Sequence, residues 1–229
     1  MSEIIFEATA DKSGPQKLVE TFDPLVSEVK MHFNDGGISV RAVDPANVGM
    51  IDATLSADAF ESYDSPGAVT QGINLERLDE RLGVGDTGDL ANLSLDMETR
   101  KLNVDVGHIS QSMGLIDPDS VRQEPDLPDL DLPNTVVLTG DQLETAVDAV
   151  GMVSNHVEIT ADDGDIVFAG QGDIDETTVR YGAGDCIDSD VTEDVASLFS
   201  HEFLEGFVDP MPADAEVELA FGYEFPVWF

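Results

Sequence analysis

Positive charge is what this chain has least of. Ten Lys and Arg stand against 48 Asp and Glu in 229 residues, a formal net charge of −38. Cysteine is nearly absent as well: Cys186 is alone, which excludes an intrachain disulfide. Apolar runs are only a few residues long, so neither a membrane span nor a signal peptide is predicted. The four histidines, His32, His108, His156 and His201, fall at no metal-ligand spacing. There is no G-x-S-x-G elbow and no Cys–His pairing to defend as a nucleophile. These absences leave an enzyme hypothesis without residues to carry it, and no metal or cofactor is expected.

What is present argues for a folded chain. Strongly acidic sequences are often disordered, but 41% of these residues are hydrophobic and they recur with clear periods. The acidic residues are spread along the whole length instead of forming a tail. Self-repulsion would destabilise such a compact state in dilute buffer. In molar salt the Debye length falls to roughly 3 Å and the repulsion is screened. The composition is therefore that of a cytosolic protein from an extreme halophile.

The segment Asp117 to Asn134, DPDSVRQEPDLPDLDLPN, holds four of the chain's prolines among acidic residues. Proline is excluded from helix interiors and central strands, so this is an extended connector. Leu127, Leu130 and Leu132 recur through it, which a purely flexible linker would lack. The two flanks of the connector look alike. SGPQKLVETFDPLVSEVKMHFNDGGISVRA precedes it and TGDQLETAVDAVGMVSNHVEITADDGDIVFAG follows. Val29 and Met31 match Val157 and Ile159, Asp35-Gly36 matches Asp163-Gly164, and Ile38 and Val40 match Ile166 and Phe168. Each flank reads as a helix, a strand, an Asp-Gly turn and a second strand. The period is too long for a solenoid; it marks a duplicated domain. The expected organisation is an N-terminal domain over residues 1–116, a connector over 117–134 and a C-terminal domain over 135–229. Helices segregated to one face of antiparallel sheets give an α+β class.

Within that plan the first helix opens at Gly14-Pro15 with Leu18, Phe22 and Leu25 inward. A strand is expected from Val48 to Ser56 and a second helix from Gln71 to Leu82. In the second half, helices are expected from Gln142 to Met152 and from His201 to Val208. His32 alternates with core positions in its strand and is expected to be exposed. Gly83-Val84-Gly85-Asp86-Thr87-Gly88 satisfies G-x-G-x-x-G, yet it follows a helix and precedes a strand. That is the reverse of a dinucleotide site, and a helix cap and turn is the better reading. Asp162, Asp163, Gly164 and Asp165 lack the later Glu of a calcium loop and read as a hairpin turn.

Taken together, the duplicated unit, RAVDPANVGMIDATL, INLERL, the Pro-rich connector and FGYEFPV give the chain, from Phe6 to Phe229, a close resemblance to sliding clamps of the archaeal and eukaryotic type, the proliferating cell nuclear antigen family. The resemblance implies a non-enzymatic homotrimeric ring of two-domain subunits, with helices lining the hole and sheets outside. It also implies double-stranded DNA threaded through the ring, and DNA polymerase, a clamp loader and other replication and repair enzymes tethered by short peptides. The family's peptide pocket falls here on Val43 and Val48, on the connector residues Leu127, Leu130 and Leu132, and on Pro226. The subunit contact falls on edge strands, His108 to Ile116 and Thr177 to Gly184. Its residues are His108, Ile109, Ser110, Ser112, Gly114, Ile116, Thr178, Val179, Arg180 and Tyr181.

The sequence departs from the family pattern in two respects. The family lines its hole with Lys and Arg from every helix, whereas here only Lys12, Lys17, Arg77 and Arg81 are available as DNA-facing cations. The pattern also continues past Phe229, so the C-terminal domain is expected to lack its last strands. An alternative reading is an acidic DNA mimic or other protein-interaction scaffold, its carboxylates standing in for phosphates. A ring is expected in the high-salt cytosol, associated with the nucleoid; a mimic is expected to be monomeric.

Overall fold

The computed structural model describes residues 4–127, 132–223 and 226–229. It divides into two compact units at the Leu127–Pro128 junction. In the first unit, β1 (Ile4–Asp11) leads into α1 (Ser13–Phe22) and the hairpin β2 (Glu28–Asn34) and β3 (Gly37–Val43). Then come β4 (Met50–Ser56), β5 (Ser62–Asp64), β6 (Val69–Asn74), α2 (Leu75–Leu82), β7 (Leu90–Asp96), β8 (Lys101–Val106) and β9 (Ile109–Gly114). They form an antiparallel sheet of order β5-β1-β7-β8-β9 and another of order β4-β3-β2-β6.

The second unit repeats this path. Its elements are β10 (Asn134–Thr139), α3 (Gly140–Gly151), β11 (His156–Asp162), β12 (Asp165–Gln171), β13 (Glu176–Tyr181), β14 (Asp188–Val191), β15 (Val195–Ser200), α4 (His201–Val208) and β16 (Glu216–Phe221). Their sheet orders are β14-β10-β16 and β13-β12-β11-β15. Strand for strand, these orders are those of β5-β1-β7 and β4-β3-β2-β6. The duplication seen in the sequence is thus a duplication of topology, and the fold is a duplicated α+β fold. Among the described residues the outer edge of β16 carries only the bridge between Ala220 and Trp228.

Each unit has its own core. In the first, Phe6 lies under Phe33 with ring centroids 4.7 Å apart, and Phe22, Leu75, Leu78 and Leu82 close the helix side. In the second, Leu138, Leu143, Val147, Phe168, Leu219 and Phe221 take the corresponding places. The inward residues follow the periods of the elements, alternate along strands and three or four apart along helices. Full burial of one such side chain contributes about 1.5–3 kcal/mol.

Several expectations are corrected. The second helix starts at Leu75, not Gln71, because Val69–Asn74 is strand β6. Asn74 is the N-cap, its side chain accepting from the Arg77 N–H at 2.9 Å. The strand expected from Val48 starts at Met50, since the preceding residues close a loop. The glycine-rich run is a turn: Gly83 caps α2, and Gly85 and Gly88 take positive φ of 79° and 86°. Residues 117–127 lie with the first unit, while Asn134 is already in β10 and fully buried.

The chain leaves β9 by pairing again with its own unit. Ile116 bridges to Gly72 of β6, its N–H donating to the Gly72 carbonyl at 2.8 Å and its carbonyl accepting from the Gly72 N–H at 3.1 Å. A Cβ at Gly72 would stand 2.8 Å from both Ile116 Cβ and Val121 Cγ2. Glycine is therefore required there by close approach, not by backbone angle. Gly72→Val is expected to lower unfolding stability by about 1–3 kcal/mol, the usual range for overpacking. Denaturant unfolding at fixed molar KCl reads this directly; unchanged stability would show that residues 116–121 do not press on β6.

Candidate functional site

The loop between β3 and β4 is built around one carboxylate. Asp44 is 4% exposed. Its Oδ1 accepts from the N–H groups of Val48 at 2.6 Å and Gly49 at 2.8 Å, and its Oδ2 from Ala46 at 2.7 Å. Backbone bonds from Asp44 N–H to Gly49 O and from Asn47 N–H to Asp44 O close the loop. Asn47 takes the left-handed conformation, φ 58°. Burial pushes the Asp44 carboxyl up, but the donors at Gly49, Ala46 and Val48, with the Arg122 guanidinium, outweigh it and hold the pKa below its ordinary 3.8. The result is a rigid platform presenting Val48, which is 66% exposed.

Residues 121–125 run over the outward face of β2 and β3, held by polar contacts. Lys30 Nζ donates to Gln123 Oε1 at 3.1 Å, and His32 Nε2 lies 2.7 Å from Glu124 Oε1 while its Nδ1 meets Thr70 Oγ1 at 2.7 Å. Arg41 reaches Asp52 at 2.8 Å and the Pro125 carbonyl at 3.5 Å, and Arg122 donates to Asn47 Oδ1 at 2.7 Å. Val121 is buried beneath them. His32 is therefore not simply exposed, as its alternation suggests; it faces outward but is covered and bonded.

The pocket residues expected from the sequence fall on both units. Val43, Val48 and Leu127 belong to the first, with Val43 half-buried and Leu127 42% exposed. Leu132 and Pro226 belong to the second, and Leu130 lies outside the described residues. The residues missed by sequence reasoning are Asp44, Asn47 and Arg122. A signal existed: Asp followed by Pro and then Asn is the composition of an Asx-type turn.

Among the described residues the edge strands are free on one side: β9 pairs only with β8, and β13 only with β12. His108, Ile109, Ser110, Ser112, Gly114, Thr178 and Arg180 are exposed, and Val179 and Tyr181 are half-buried. Ile116 stands apart, since its backbone is taken by Gly72. Arg180 is clasped within its own unit, to Asp165 at 2.9 Å and Asp162 at 3.0 Å. Tyr181 donates to the Gln142 carbonyl at 2.8 Å, tying β13 to α3.

The helix cations divide similarly. Lys17 and Arg77 are exposed. Lys12 is only 9% exposed and its ammonium donates to the carbonyls of Val84 at 2.8 Å and Gly85 at 3.3 Å, at the end of α2. It serves the fold and is not presented to a ligand, contrary to the expectation for it. Arg81 donates to the Arg77 carbonyl and lies 4.0 Å from Glu80. Helices α3 and α4 expose Asp141, Glu144, Asp148, Glu202 and Glu205 and carry no Lys or Arg. Among the described residues no helix is long and apolar enough to cross a membrane, and no group of three or more His, Cys, Asp or Glu could hold a metal ion.

One α+β module used twice in a chain, with unpaired sheet edges left over, defines the class of duplicated clamp proteins. Comparison with known proteins narrows it. Residues 5–111 match the family model described as the proliferating cell nuclear antigen N-terminal domain. The DNA polymerase sliding clamps of Halobacterium salinarum and Haloarcula marismortui are each 43% identical over 225 residues, covering 97% of this chain and 90% of theirs. A solved structure of A. fulgidus PCNA with the C-terminal region of FEN-1 bound superposes with a TM-score of 0.92 at 27% identity, covering 97% of this chain and 90% of that one. The chain belongs to the DNA polymerase sliding clamp family.

The Asp44 loop generates a prediction. Asp44→Ala leaves the Val48, Gly49 and Ala46 donors without their acceptor, and a buried unsatisfied donor costs about 1–3 kcal/mol. Asp44→Asn is expected to be milder. Because the folded pKa lies below 3.8, the stabilisation from ionised Asp44 is complete well above that value and is lost as pH falls through the lower folded value. The stability gap between wild type and Asp44→Asn should therefore be constant from pH 8 to about 5 and narrow in stronger acid. Unfolding curves across this range test it, and a gap that does not narrow would show that the charge plays no part.

Proposed function

We propose that this protein is a processivity clamp: a homotrimeric ring that encircles duplex DNA and tethers DNA polymerase and other replication and repair enzymes to it, opened by a clamp loader. The observation that carries this is the duplication, two like modules with free edges at β9 and β13, in a chain of the sliding clamp family. Pairing β9 of one subunit with β13 of the next is a head-to-tail contact, and such contacts generate a ring when the rotation closes. The clamp itself makes and breaks no covalent bond; its partners do. Its place is on the nucleoid in a high-salt cytosol.

Partner enzymes dock a short peptide on the apolar surface presented by Val43 and Val48; the family resemblance assigns Leu127, Leu130, Leu132 and Pro226 to the same role. The peptide bound to the A. fulgidus relative supports this reading. Lys17 and Arg77 are the side chains best placed to meet DNA, being exposed on the helix pair of the first unit. The alternative of a monomeric acidic mimic is separated from the ring by mass alone.

Two outcomes are expected. Light scattering across a KCl series should give a trimer near 2 M, loosening to monomers below about 0.1 M, where the screening length reaches roughly 10 Å and subunits of like charge repel. A monomer at every salt concentration would exclude the ring. Secondly, Val48→Asp should abolish calorimetric binding of a clamp-binding peptide at 2 M KCl without changing oligomeric mass, because a charge in an apolar contact is costly to desolvate. Unaltered affinity would remove Val48 from the docking surface.

A further inference from the structure

Three of the ten Lys and Arg residues, Lys30, Arg41 and Arg122, line one shallow groove between the outward face of β2–β3 and residues 121–123. Beside these, Val26, Val29, Ala42, Val43 and Val121 supply apolar walls, and Glu28 and Gln123 complete the lining. Glu28 is the one carboxylate among the lining residues, so the lining is net cationic in a chain whose formal charge is −38. The charges at its centre are not neutralised locally. Lys30 bonds the neutral Gln123 and Arg122 the neutral Asn47. Neither has a carboxylate within ion-pairing distance among the described residues, although Asp44 attracts Arg122 from further away. Arg41 is paired with Asp52, but its Nε is buried without a partner.

Val43 belongs both to this groove and to the apolar docking surface proposed above. A peptide seated on Val43 and Val48 therefore has its flank beside Arg122, which is exposed. We propose that the groove is a subsite for an acidic side chain flanking the apolar anchors of the docked partner peptide; this rests on the peptide-docking reading. The physical argument is one of sign and range. The field of the whole chain repels an acidic peptide, so any preference for one must arise from contact. In molar salt the field is screened beyond roughly 3 Å, whereas a carboxylate hydrogen-bonded to a guanidinium lies inside that distance and keeps its charge-assisted bond. Salt thus removes the repulsion and leaves the contact. A partner with an acidic flank is then selected over one with a neutral flank, which apolar anchors alone cannot do.

The test uses synthetic peptides that share one core with apolar anchors, taken from a clamp-binding peptide, and differ only in a flank, Asp-Glu-Asp or Asn-Gln-Asn. The flank is placed on either side of the core in separate pairs. Each peptide is titrated calorimetrically into the full chain at 2 M KCl. The acidic flank on one side should tighten binding by about tenfold, the equivalent of one charged hydrogen bond. Because Arg122 also holds Asn47 and Lys30 holds Gln123, the readout is the ratio of the two affinities: Arg122→Gln and Lys30→Gln should together bring the acidic-to-neutral ratio to about one, whatever they do to neutral-flank affinity. Equal affinity of the wild type for both flanks would overturn the subsite, as would a preference that survives in the double variant. An equal loss for both peptides would also overturn it, since the residues would then act only through the loop. If neither peptide binds the wild type, the docking reading itself fails; core binding without flank preference removes the subsite alone.

Discussion

Cations are so scarce in this chain that the place of each one counts, and five of the ten are used to make the chain return upon itself. Lys12 holds the carbonyls at the end of α2, where the helix dipole favours positive charge. Lys30, Arg41 and Arg122 fasten residues 122–125 to β2, β3 and the Asp44 loop. Arg180 clasps the two aspartates that flank the β11–β12 turn. Several of these acceptors are neutral oxygens. A hydrogen bond to a carbonyl or amide loses little to salt, whereas an exposed ion pair contributes only about 0–1 kcal/mol even in dilute buffer. Anchoring to neutral oxygens is thus the arrangement that keeps working in molar salt.

The two halves share their inward faces and differ in their outward ones. Val29, Met31 and Phe33 of β2 are buried, as are Val157, Ile159 and Ala161 at the matching positions of β11. The residues between them diverge: Lys30, His32 and Arg41 in the first half correspond to Glu158, Thr160 and Ala169 in the second. Among the described residues, it is in the first half that a segment, residues 121–125, is held against that face. A strand's two faces can change independently because they alternate. Duplication copied the core and topology together, and the outward face of one copy became a docking strip for residues 121–125.

This separation also explains what could be read from the sequence. The duplicated core was legible because burial imposes a period: Leu18 and Phe22 along α1, Met31 and Phe33 along β2. The turn at Asp163-Gly164 was legible because few residues tolerate its backbone, φ 52° and 90°, and in the first hairpin the same demand falls on Gly37, φ 135°, just after Asp35-Gly36. The start of α2 was misread because Gln71 and Gly72 carry no strand signal of their own; β6 forms there through its partner β2 and its bridge to Ile116. The fastening of residues 121–125 was hidden for a related reason. The leucines of the Pro-rich segment suggested apolar anchoring, but the contacts come from Lys30, His32 and Arg41, some ninety residues away in sequence. Lys12 was misassigned because charge alone does not say whether an ammonium faces solvent or a carbonyl.

The helix faces raise the question of how so acidic a ring, as proposed, would hold DNA. Affinity from phosphate contacts falls linearly in log salt, with a slope near −0.9 for each phosphate neutralised. A full lining of Lys and Arg would therefore give its greatest benefit in dilute buffer and little in molar salt. On the proposed ring, enclosure does not depend on that term, so Lys17 and Arg77 can remain while α3 and α4 carry carboxylates. The demand moves to the subunit contact, which must keep the ring closed. Ser110, Ser112, Gly114 and Thr178 present small, uncharged groups along β9 and β13, and edge strands pair through backbone hydrogen bonds that carry no net charge. Salt leaves those bonds in place and removes the repulsion that opposes them, so the ions that weaken phosphate contacts would favour closure of the proposed ring.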